Sequence, residues 1–75
     1  MRHYRNLSGN SGVVAYEVGP DWIGVKFRDG VTYRYTYAKP GAIHVEEMKK
    51  LAAAGRGLSG YISRHVGKAY ESTDG

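Results

Sequence analysis

The chain has 75 residues and no cysteine, and its eleven Lys and Arg against seven Asp and Glu leave a formal charge of +4. That length holds one domain at most, and the absence of cysteine excludes a disulfide scaffold, a thiolate metal site and a thiol nucleophile. No apolar run reaches the ~18 residues that cross a bilayer, and His3, His44 and His65 are too scattered for a zinc pattern.

Residues 1–12 are polar and rich in Asn, Ser and Gly, which predicts a flexible N-terminal arm. Val13–Val18 reads as a first strand, with Val14, Tyr16 and Val18 alternating against Val13, Ala15 and Glu17. Gly19-Pro20-Asp21 signals a turn. Trp22–Arg28 reads as a second strand and Val31–Tyr37 as a third, separated by Asp29-Gly30.

Paired residues share a face, so the pattern selects the register. A two-residue Asp29-Gly30 loop would set Phe27 and Val25 beside Thr32 and Arg34 and split the core. A three-residue loop pairs Phe27 with Val31 and Val25 with Tyr33, which predicts a bulged turn with Gly30 left-handed. The first hairpin is expected to pair Val18 with Ile23 and Tyr16 with Val25. These registers put Tyr33 and Tyr35 inward with Val25 and Phe27. They put Trp22, Lys26, Arg28, Thr32, Arg34 and Thr36 outward.

Pro40 stands where a helix can begin without needing its N–H. Ala42–Ala54 carries a narrow stripe of Val45, Met48, Leu51 and Ala52, and Gly55 ends it. Ser59 is expected to cap a second short helix over Gly60–Val66, with Leu58, Tyr61, Ile62 and Val66 facing the core. Tyr70 is expected to dock, leaving 71–75 as a disordered tail. The predicted fold is α+β: a three-stranded antiparallel meander followed by two short helices on one sheet face, a single domain over residues 13–70.

These residues resemble the KTSC domain family, named for a segment at the C-terminus of some lysyl-tRNA synthetases and also found as small stand-alone bacterial proteins. The likeness is carried by Tyr16, Ile23-Gly24-Val25-Lys26-Phe27, Gly30, Tyr33-Arg34-Tyr35 and Pro40. It continues through Ala52–Ala54, Gly57, Tyr61-Ile62-Ser63-Arg64-His65-Val66 and Tyr70. It covers about Ser11–Tyr70 and implies the stand-alone type, a fold consistent with the one above, and RNA as a suggested ligand. It brings no catalytic residues.

Nucleic acid is also the first partner that the charge suggests. The excess is spread evenly: residues 1–37 carry five basic and three acidic groups, residues 38–75 six and four. Trp22 with Lys26, Arg28 and Arg34 makes one candidate nucleic-acid-binding surface, an aromatic that can stack a base among three cations. Arg56, Arg64 and Lys68, around the second helix, make another. The alternative partner is a protein, or a second copy, docked on the open sheet face or an edge strand.

Enzyme activity is not expected. Ser63 and His65 stand two apart on a helix and do not face each other, and Glu46 and Glu47 diverge. Gly55-x-Gly57-x-x-Gly60 follows a helix, not a strand, so it is no dinucleotide site. No cofactor, metal or membrane is expected, and the lack of a signal-peptide pattern points to the cytoplasm.

Overall fold

In the computed structural model, which describes residues 1–7, 9 and 11–74, the chain forms an α+β domain around an antiparallel sheet. The strands are β1 (Arg2–His3), β2 (Val13–Val18), β3 (Trp22–Phe27), β4 (Thr32–Thr36) and β5 (Ser72–Asp74), in spatial order β1-β2-β3-β4-β5. Between β4 and β5 lie α1 (Ala42–Ala54) and α2 (Leu58–Tyr61), and α2 continues as a π-helical turn over Ile62–Val66. No helix among the described residues is long and apolar enough to cross a membrane.

The central registers follow the hydrophobic pattern. Val18 pairs with Ile23, Tyr16 with Val25, Val25 with Tyr33, and Lys26 with Thr32. Phe27 exchanges backbone bonds with Val31 and Gly30, and Gly30 has φ 89°. Ile23, Val25 and Tyr35 are therefore buried on one face, under Val45, Met48 and Ala52 of α1 and Leu58, Ile62 and Val66 of the following helical turns. Burying each of the Ile, Val, Leu and Met side chains among them contributes roughly 1.5–3 kcal/mol. The chain end is held by Tyr70, whose ring centroid lies 4.8 Å from that of Tyr33.

The sheet has five strands rather than three, because both expected loose ends join it. Arg2 pairs with Tyr16 and His3 with Ala15. Tyr4 is only 1% exposed and its hydroxyl accepts from the Leu58 N–H at 3.3 Å. Leu7 donates to the Gly55 carbonyl at 2.7 Å, and the Arg5 guanidinium donates to the Ala53 carbonyl. The segment expected to be a flexible arm thus crosses the end of α1, although Ser8 and Asn10 lie outside the described residues. At the other end, Ser72, Thr73 and Asp74 pair with Arg34, Tyr33 and Thr32. They form a strand where a disordered tail is expected; Gly75 lies outside the described residues. The physical reason is common to both ends: β2 and β4 would otherwise leave unpaired N–H and C=O groups along their outer edges.

Two further details differ from the expected pattern. Val13 pairs with Phe27 and Ala15 with Lys26, so Val14 is an extra residue in a β-bulge. The bulge turns Val13 inward to 2% exposure and leaves Val14 half-buried. At α2, Ser59 is not the cap. The helix begins at Leu58, one residue after Gly57 at φ 80°, because the Leu58 side chain is fully buried and its N–H is already held by Tyr4.

Candidate nucleic-acid interface on the outer sheet face

The helices cover one face of the sheet, and the residues that pair across β2, β3 and β4 on the other face are Glu17 with Gly24 with Arg34, Lys26 with Thr32, and Trp22 with Thr36. The sequence-predicted group Trp22, Lys26 and Arg34 is therefore brought together. Arg28 follows β3 in the turn and is exposed, its N–H donating to the Gly12 carbonyl at 2.9 Å.

Trp22 has a defined seat. The guanidinium carbon of Arg34 lies 4.1 Å from the indole centroid, a cation–π contact between neighbouring strands. The indole extends from Gly19, where an added Cβ would lie 1.8 Å from Nε1, to Gly24, where one would lie 3.5 Å from the six-membered ring. Two residues without side chains thus leave the room that a flat aromatic needs. The Glu17 stem approaches the same Gly24 position at 3.9 Å.

Beside Trp22 is an open groove of about 490 Å3, lined by Met1, Arg2, Glu17, Val18 and Trp22. Sequence reasoning does not single out Glu17 here. Glu17 was accessible from the expected register, since Tyr16 opposite Val25 places Glu17 opposite Gly24. Arg2 was not, because nothing in a polar arm announces a two-residue strand.

Arg56, Arg64 and Lys68 lie in the helical layer and its loops, all exposed, away from the outer strand residues. None of Lys26, Arg28, Arg34, Arg56, Arg64 and Lys68 is in an ion pair among the described residues; the pairs found are Lys49 with Glu46 and Lys50 with Glu47. Tyr33 and Tyr35 face the core. Burial, with Tyr33 and Tyr70 beside it, pushes the Tyr35 phenol up to about 12.

A second polar cluster ties the helices together. The Tyr61 hydroxyl lies 2.7 Å from Nδ1 of His44, and the His65 ring packs 4.8 Å from the Tyr61 ring. Burial, with Glu47 nearby, raises the Tyr61 pKa. The phenol therefore keeps its proton at neutral pH and donates it to Nδ1 in the tautomer that carries its proton on Nε2. No group of three or more metal-ligating side chains occurs among the described residues.

No family model matches this chain, and neither the curated proteins nor the solved structures contain a match.

Proposed function

We propose that this chain is a small non-catalytic domain, of the KTSC type that its sequence resembles, which binds single-stranded nucleic acid, RNA foremost. The observation that carries this reading is the Arg34 guanidinium stacked on Trp22, on a sheet face without helices and beside Lys26. Flat cations and aromatics on an open sheet are what unpaired bases stack on, and unpaired cations are what phosphates need. Trp22, Lys26, Arg28 and Arg34 form the principal contact in this reading, with Arg56, Arg64 and Lys68 as a second phosphate-binding set and the cytoplasm as the setting.

An amide NMR titration with a mixed pool of short single-stranded RNA tests it. Shifts on Trp22, Lys26, Arg28 and Arg34 that weaken with salt are expected, the log of the affinity falling by ~0.7 per phosphate contact for each tenfold in salt. No shift at millimolar RNA would refute the reading.

The second reading is a self-association or protein-docking module. It is favoured by the two short strands, β1 and β5, that end the sheet, and by the exposure of Met1 and Val18 at the β1 side. A mass that rises with concentration in size-exclusion chromatography, with no nucleic-acid shift, would select it.

A further inference from the structure

Glu17 is the odd residue of the outer face. A carboxylate repels phosphates, yet this one shares the Gly24 position with Trp22, is in no ion pair among the described residues, and lines the groove with Met1, Arg2, Val18 and Trp22. An ionised carboxylate only accepts hydrogen bonds, and it offers two parallel oxygens. The nucleobase edge that matches is guanine's Watson–Crick edge, where N1–H and the N2 amino group donate side by side. Adenine presents a donor beside an acceptor there, and uracil a donor between two acceptors.

The surroundings fit the rest of a nucleotide. Trp22, Met1 and Val18 give the groove apolar walls, and its volume of about 490 Å3 is in the range of small-ligand clefts. Arg34 lies against Trp22, whereas Arg2 pairs with Tyr16 and so belongs to the inner side of the sheet. Arg34 supplies the outer-face cation for a phosphate flanking a bound base. Arg34 pairs with Gly24, and Gly24 with Glu17, so Arg34 and Glu17 stand two strand spacings apart, roughly 10 Å. The Trp22 ring reaches the Gly24 position between them, so the two charges do not pair, and the groove lies beside Trp22 with Met1 and Glu17.

We infer that this groove is a guanine-selective nucleotide subsite, in which Trp22 and Met1 flank the base, Glu17 accepts from its Watson–Crick edge, and Arg34 holds an adjoining phosphate. The inference rests on the nucleic-acid reading for its polymer but not for its base. The ligand-reading role belongs to Glu17, and the stacking role to Trp22.

Trp22 is the chain's one tryptophan, so its fluorescence reports the groove directly. Three mononucleotides, GMP, IMP and AMP, are titrated first. GMP is expected to quench, IMP, which lacks the N2 donor, to quench more weakly, and AMP to have little effect at the same concentration. Heptauridylate is then compared with the same oligonucleotide carrying one central guanine, which is expected to bind about tenfold more tightly. In Glu17→Gln the GMP preference and the tenfold gain should vanish, while heptauridylate binds at least as well as before.

Equal responses to GMP and AMP, or a preference that survives Glu17→Gln, overturns the subsite. Salt-sensitive heptauridylate binding with no guanine gain leaves the nucleic-acid reading standing and removes this one. GMP selectivity without oligonucleotide binding does the reverse. Trp22 emission that changes with protein concentration alone would give the groove to a second copy and overturn the subsite.

Discussion

The Tyr4 hydroxyl accepts a hydrogen bond from the Leu58 backbone N–H across 54 positions of sequence, with the Tyr4 ring almost wholly buried between the first strand and the start of α2. A 75-residue domain has about 4–11 kcal/mol of stability in all. Tyr4→Ala should cost about 3–5 kcal/mol of it, the range for emptying an aromatic site. Tyr4→Phe keeps the ring and orphans one buried N–H, for about 1–3 kcal/mol. Urea unfolding of the two variants checks this; an unchanged midpoint in Tyr4→Ala would mean that the first residues are dispensable.

That contact also marks the limit of what the sequence reveals. The central hairpins are legible because Val25, Phe27, Tyr33 and Tyr35 alternate strictly and only one loop length keeps them on one face. The α1 boundaries are legible because Gly41 and Gly55 flank an apolar stripe. Tyr4 is a lone aromatic in a polar segment, with no period to read. β1 and β5 exist because β2 and β4 have edges to satisfy, a tertiary cause with no local signature. The outer-face cations follow from the strand register, whereas the groove beside Trp22 needed Met1 and Arg2, and so needed β1.

Alkaline pH should reach the core through Tyr35. Its phenol titrates at about 12 in the fold against an ordinary 10.0, chiefly because burial disfavours the phenolate. Between those values the native state holds a proton that the unfolded chain releases, so stability falls as pH rises from 10 towards about 12. Below that window the group contributes no pH dependence. Tyr35→Phe should flatten this alkaline slope in denaturation curves, and a slope equal to the parent's would assign the effect to other groups.

The acid side has a different source. Glu46 accepts from the Tyr37 hydroxyl at 2.6 Å and meets Lys49 Nζ at 2.9 Å, and Lys49 also donates to the Pro20 carbonyl. The hydrogen bond from Tyr37, then that from Lys49, lowers the Glu46 pKa from its ordinary 4.5. A lowered carboxyl contributes stability that is complete above its unfolded value and is lost as pH falls through the folded one. Glu46→Gln should therefore lower the melting temperature slightly at neutral pH, and the gap should close as pH falls from 4.5 through the lowered value of the folded state. The gap should also shrink with salt, since the group is exposed. A gap that persists in acid would locate the contribution in packing rather than charge.

Gly19 and Gly24 both lie under the Trp22 indole but should respond differently to a methyl group. At Gly24 an added Cβ would make ordinary contact with the ring at 3.5 Å and with Thr32 at 3.7 Å. Alanine also suits a strand interior better than glycine. Gly24→Ala should keep the parent's stability and its tryptophan emission. At Gly19 the new carbon would lie 1.8 Å from Nε1, inside any contact distance, so the indole must swing out. The Arg34 stack is then lost, at about 0.5–1 kcal/mol for an exposed cation–π pair. Gly19→Ala should fold and shift the Trp22 emission to the red, as Arg34→Ala should, while keeping the Arg34 charge that Arg34→Ala removes. An unshifted emission in Gly19→Ala would mean that the backbone moves instead, and that the ring is held by more than Arg34 and the two glycines.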